Sequence, residues 1–265
     1  MMKMMKTTIY IAGLVFLASV IELGAAEAWF RRLDIDAYEN IIGLSRVSAS
    51  EAAEINAYLF IYDSAGRLNR VEYRCTGHAL PDPSFGVQRI EIFYEGRSIY
   101  RKYTDGTGKP MADESGIWGT RVILDRHGRN IGVVFYDEYE NIVPDMKGIA
   151  QRLWTLDKSG RKSLERFFDS FGARVVDNRG VAAIQYQWNS SDKLIERRYL
   201  SLEGSPVLAR DEGVYKYRWI RDERGYPVRE DRFGIQGEPI IAADGSAVIE
   251  WVRDENGRVT KEFRR

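Results

Sequence analysis

Residues 148–161 read Gly-Ile-Ala-Gln-Arg-Leu-Trp-Thr-Leu-Asp-Lys-Ser-Gly-Arg: a glycine, an extended stretch and an Asp-x-x-Gly turn. The frame recurs along most of the chain. Glycines open successive copies at Gly86, Gly116, Gly148, Gly180, Gly213 and Gly245, a period of about 32 residues, which marks a repeat whose units complete one another's core. Nine residues after each opening position stand Asp63, Glu95, Asp125, Asp157, Asn189, Asp222 and Asp254. Three residues further stand Gly66, Gly128, Gly160, Asp192, Gly225 and Gly257. Asp caps the turn amides and Gly takes the left-handed conformation that closes a hairpin. The second copy is shorter there, Tyr94-Glu95-Gly96-Arg97, which fits a two-residue loop.

Before each first turn the chain alternates. Positions four and six hold Tyr58/Phe60, Ile90/Ile92, Thr120/Val122, Arg152/Trp154, Ile184/Tyr186, Tyr217/Trp219 and Ile249/Trp251, and the residue between them is mostly polar. Period two with one largely apolar face is a half-buried strand. A second strand carries Tyr73, Tyr103, Phe135, Phe167 and Tyr199. A second turn follows, as in Asp105-Gly106-Thr107-Gly108, Asp137-Glu138-Tyr139-Glu140 and Asp169-Ser170-Phe171-Gly172, and then a short extended return such as Pro206-Val207. The connections are too short for crossover helices, so the expected fold is all-β: an array of antiparallel hairpins, elongated or coiled. A closed propeller-like ring is the alternative, although its blades need four strands. Residues 54–265 hold about seven units by this reading, the last truncated, and residues 29–53 stand outside the repeat as an N-terminal cap. Ser48-Ala49-Ser50-Glu51 suits one capped helical turn within that segment.

Residues 1–28 read as an export leader. Lys3 and Lys6 precede the apolar run Thr7–Val20, and Ala26-Glu27-Ala28 forms a small-x-small cleavage site before Trp29. A periplasmic or secreted protein with no membrane span after cleavage is therefore expected. Cys75 is the single cysteine, so no intramolecular disulfide forms and stability rests on core burial. Basic and acidic residues number 39 each, and loss of Lys3, Lys6, Glu22 and Glu27 with the leader keeps them equal. That balance excludes nucleic acid and anionic membrane as expected partners.

The string Tyr62-Asp63-Ser64-Ala65-Gly66-Arg67-Leu68 resembles the tyrosine-aspartate repeat of large bacterial surface and toxin-shell proteins, with weaker matches at Asp125–Asn130 and Asp254–Val259. The fuller pattern is similar to an uncharacterised bacterial repeat found in arrays, and that resemblance carries no activity. The tyrosine-aspartate resemblance implies a β-sheet shell or a surface that binds carbohydrate or a partner. Seven copies are too few to enclose a cargo.

Catalytic raw material is thin: Cys75 with His78, and His127 inside a turn. No catalytic residue, metal ligand or cofactor is assigned, because a nucleophile with base and orienting acid needs more than this. Calcium is considered at Asp254-Glu255-Asn256-Gly257 and Asp137–Asn141, where capping already occupies the Asp and Arg258 follows the first of these turns. The tryptophans within the repeats, Trp118, Trp154, Trp188, Trp219 and Trp251, fall on even positions with the apolar strand residues, so they are read as core. Tyr139, Phe171 and Tyr226 lie in or beside turns and are the candidate partner anchors. The favoured function is non-enzymatic binding or scaffolding of an envelope protein or glycan. A carboxylate-based polysaccharide hydrolase or lyase is the first alternative. The second is self-association through the truncated last copy, whose edge carries Lys261, Glu262, Arg264 and Arg265 as blocking charges.

Overall fold

The computed structural model describes residues 26–83 and 85–265. Over those residues it is all-β: strands in one open antiparallel sheet, with a single helical turn among the described residues. The N-terminal strands are β1 (Ala26–Ile35) and β2 (Ile41–Val47), followed by α1 (Ala49–Ala52). The array then runs through β3 (Asn56–Tyr62), β4 (Leu68–Cys75), a short β5 (His78–Ala79), β6 (Arg89–Glu95), β7 (Ser98–Thr104), β8 (Gly119–Leu124) and β9 (Asn130–Tyr136). It continues as β10 (Gln151–Leu156), β11 (Lys162–Phe168), β12 (Ala183–Trp188), β13 (Leu194–Leu200), β14 (Lys216–Arg221), β15 (Pro227–Phe233), β16 (Val248–Arg253) and β17 (Val259–Arg264). From β6 onward each strand pairs with the next; β4 pairs with β6, and β1 joins β3 on one side and β2 on the other. The sheet does not close, so the propeller-like ring is not formed.

Each hairpin is closed as its Asp-x-x-Gly sequence dictates. In β10–β11, Asp157 Oδ1 accepts the amides of Ser159 at 2.9 Å and Arg161 at 3.0 Å, and Gly160 sits at φ +83. The extra residue appears as a register shift after Thr155, a glycine bulge that increases local twist. Where the loop is two residues shorter, Gly96 takes φ +54 and the β6–β7 register runs unshifted to Glu95↔Ser98. The Cys75-Thr76-Gly77-His78 segment is a tight turn of the same economy, with φ +46 and +79 at its centre.

Each full unit contains a third turn that the sequence frame does not isolate. The opening glycine does not begin a strand; it ends a turn of its own, which is Asp-x-x-Gly at Gly116, Gly148 and Gly180 and closes on Asp82, Ala209 and Ala242 at Gly86, Gly213 and Gly245. Asp113, Asp145 and Asp177 each accept the amides two and four residues ahead. The residue after that glycine is driven inward, giving the buried column Val87, Ile117, Ile149, Val181, Val214 and Ser246. Burying each aliphatic side chain there contributes about 1.5–3 kcal/mol.

Units are also latched side to side. A residue at the end of the first strand reaches a carbonyl in the unit before: Tyr94 Oη to Leu68 O, next to the end of β6, and the terminal Trp188 Nε1 to Lys162 O, Arg221 Nε to Leu194 O and Arg253 Nε to Pro227 O, at 2.6–3.0 Å. Two cores result. One is built on Phe60, Ile92, Val133 and Trp154 under Phe30, Leu33 and Ile41 of the N-terminal hairpin; the other on Ile149, Val181, Tyr199 and Tyr217. Trp154 is fully buried, whereas Trp118, Trp188, Trp219 and Trp251 are only half-buried.

Residues 29–53 carry β1, β2 and α1, and Ser48 Oγ accepts the Glu51 amide at the helix N-cap. The leader read over residues 1–28 lies outside the described residues except for Ala26–Ala28, which pair with Tyr62, Ile61 and Phe60. Among the described residues, no helix is long and apolar enough to cross a membrane.

Candidate functional site

Alternation of strand direction sorts the turns onto two rims. First turns lie on one rim, second and third turns on the other. The second rim carries exposed apolar side chains at its turns, Tyr139, Met146, Phe171, Val176, Leu202, Ile235 and Ile241, while Phe93, Ile220, Tyr226, Val252 and Val259 are exposed by less than half beside the first turns. Phe171 is 94% exposed and Tyr139 76%. Their backbones are held rigidly, since Asp137 and Asp169 accept the amides of Tyr139 and Phe171 at 2.9 Å. The Asn141 side chain donates to Asp137 and keeps its carboxyl below the usual range. Arg174 reaches the Leu202 carbonyl at 2.7 Å and ties adjacent second turns together. The outcome is a row of apolar tips, one unit apart, on a stiff backbone.

Tyr226 is placed differently. It belongs to the first-turn rim and lies flat over Gly257, where an added Cβ would stand 2.4 Å from the ring. Arg224 and Arg253 flank the ring at 5.2 and 5.5 Å, so the side chain stacks one unit on the next. The turn residues Asp63, Asp125 and Asp157 each bind two amides and pair with an arginine four residues on at 2.7–2.8 Å. Asp222 and Asp254 accept turn amides as well. Gly66, Gly128, Gly160, Gly225 and Gly257 all have φ between +76 and +86. The Arg129 amide, foremost, and its side chain draw Asp125 down to about 2. Among the described residues no group of three or more His, Cys, Asp or Glu is placed to hold a metal ion.

Inside, the sheet curls. Tyr38, at the tip of β1–β2, accepts the Lys162 amide on β11 at 3.0 Å. In a flat sheet those strands would lie on the order of 38 Å apart, at about 4.8 Å per strand. The curl forms a half-open pocket of about 600 Å³ lined by Glu39, Arg101, Phe135, Arg152, Lys162 and Glu165 among others. Its acids are engaged. Glu165 accepts Tyr186 Oη at 2.7 Å and faces Lys162 Nζ at 3.5 Å. Burial, then the Glu165 charge, pushes the Tyr186 hydroxyl up; burial pulls Lys162 down. Further along, a network runs Trp219–Glu230–Arg232–Asp244–Arg264–Glu262–Trp251. Arg232 holds Asp244 at about 2. None of these groups stands out in the sequence. Each is one charge among many, brought together only by curling.

No protein-family model matches the chain, and no curated protein matches it. Solved structures do. A Tc holotoxin pore of Photorhabdus luminescens (mutation TccC3-D651A) aligns over 87% of this chain and 12% of its own, with 13% identity and TM-score 0.36. A porin-like protein of Bacteroides uniformis aligns over 78% of this chain and 87% of its own, with 10% identity and TM-score 0.30. TcdB2-TccC3 aligns over 83% and 13%, with 11% identity and TM-score 0.22. This chain thus spans about an eighth of the toxin chains, and at these scores the likeness carries no functional argument.

Proposed function

We propose that this is an exported, non-enzymatic repeat protein of the bacterial envelope whose second-turn rim binds a protein or glycan partner. The observation behind the reading is the row of exposed apolar tips from Tyr139 to Ile241 on one rim. Clustered exposed apolar side chains on a stiff scaffold are characteristic of interaction surfaces, and aromatics dominate such surfaces energetically. The spacing by one repeat unit suits an extended partner that makes one shallow contact per unit. Export rests on the leader pattern of residues 1–28.

The test is affinity capture from a native envelope extract with the purified protein and with Phe171→Ala and Tyr139→Ala. A partner lost with both variants, and kept with Tyr226→Ala, supports the rim. Equal retention by all three sinks it, as would capture of a polysaccharide that shortens with time.

A further inference from the structure

The tip of the N-terminal hairpin is a variant of the turn used throughout the array. Asp36 Oδ1 accepts the amides of Tyr38 and Asn40, both at 2.8 Å. The fourth position, glycine in most of the Asp-x-x-Gly turns, is Glu39 at φ +64. A non-glycine there is strained by about 1 kcal/mol or more, so the fold accepts a conformational cost to put a carboxylate at this point. That carboxylate enters the curled sheet. Glu39 Oε1 lies 3.2 Å from Arg152 Nη2, and Oε2 lies 3.7 Å from Arg101 Nη1. The Glu39 carbonyl accepts a further Arg101 nitrogen. Lys162 stands beside them, its ammonium 5.6 Å from the Tyr38 ring and 3.8 Å from the Trp154 ring.

Two further facts point to a ligand site. Arg101 is 5% exposed, yet its Nε has no partner, and the buried Nε of Arg152 has none either. Buried donors of this kind call for an acceptor. The cavity beside them is large enough for one, and Phe135, which meets Arg152 at 5.2 Å, gives it an apolar wall. We propose that the interior beneath the tip is a binding site for a small organic carboxylate. Glu39 occupies it in cis, and an incoming carboxylate takes its place between Arg101 and Arg152. This site is separate from the apolar rim and does not depend on it.

The test uses the purified protein and Glu39→Gly, which suits the positive φ and removes a side chain equivalent to propionate. Sodium propionate is the probe, with sodium chloride at equal ionic strength and neutral propionamide as controls. Glu39→Gly is expected to melt several degrees lower and to regain the loss in propionate alone. In the native protein, propionate should raise hydrogen exchange of residues 36–41 saturably. The half-point should be at least tenfold higher than for rescue of the variant, because tethered Glu39 competes at high effective concentration. Rescue of the variant without any response of the native tip overturns the proposal and leaves a purely structural ion pair. Should Glu39→Gly not fold, Arg152→Gln decides: loss of the propionate response supports the site, and its persistence refutes it.

Discussion

Asp177, in a third turn, and Asp125, in a first turn, each accept the amides two and four residues ahead, yet replacing each by alanine should have very different consequences. Asp177 Oδ1 accepts the amides of Arg179 at 3.0 Å and Val181 at 2.9 Å, and Oδ2 accepts Arg179 Nε at 2.7 Å. Its side chain is fully buried and Val181 is too, so water cannot replace the lost acceptor. One orphaned buried amide costs about 1–3 kcal/mol. Breaking a buried ion pair costs about 3–5 kcal/mol; the low end applies because Arg179 keeps Glu212 at 3.3 Å. Asp177→Ala should therefore lose about 4–6 kcal/mol. Asp177→Asn keeps the Oδ1 acceptor and should lose about 1–3 kcal/mol. At Asp125 the donors, His127 and Arg129, are solvent-exposed, so water replaces the lost acceptor and the loss should be much smaller. The assay is the urea midpoint, read together with the slope, since a lower slope reports that the array has unravelled at that turn rather than as a whole. If Asp177→Ala and Asp125→Ala fall within about 1 kcal/mol of each other, desolvation is not what sets the strength of these turns.

Glu140 sits at φ +63 where Gly108, Gly172, Gly204 and Gly237 stand in the other second turns. Glu140→Gly should raise the melting temperature despite losing Lys102, because the left-handed backbone strain is relieved and exposed pairs contribute little; a lower melting temperature would count against it. Asp244 titrates near 2, below its ordinary 3.8, so its pairing with Arg232 stabilises the fold above about pH 4 and is lost as pH falls toward 2. Asp244→Asn should flatten that limb of the acid-unfolding curve, and an unchanged limb would place the acid sensitivity elsewhere. Phe171→Ala removes a side chain that is 94% exposed and should shift stability by less than about 0.5 kcal/mol; a larger loss would show that Phe171 packs in the fold rather than waiting for a partner.

What the sequence discloses here is whatever repeats. Asp157 and Gly160 identify a hairpin because the same pair returns at Asp125 and Gly128 and at Asp222 and Gly225, and the turn chemistry is local enough to be read from four residues. The even positions disclose the inner face for the same reason. The third turn was also written in the chain, as Asp113, Asp145 and Asp177 three residues before an opening glycine. It is hard to isolate there because the same glycine also marks the period of the whole unit. Tyr139 and Phe171 could be singled out as turn aromatics, but Tyr226 has the same signature and lies down on Gly257, a distinction made by the neighbouring unit.

The interior is hidden for a different reason. Glu39 and Arg101 are 62 residues apart, and Tyr38 and Lys162 are 124 apart. Neither contact can be read from the repeat, because one partner in each lies outside it. Their meeting depends on sheet curvature, which sums small twists from every glycine bulge and leaves no mark at any single position. A hairpin that must end on Arg101, Arg152 and Lys162 also limits how far the sheet can uncurl. The non-repeating segment thereby sets the geometry of the repeating one. Removing its carboxylate should loosen the curl at β7, β10 and β11 together, whereas removing any single turn aspartate should act only on the unit that contains it.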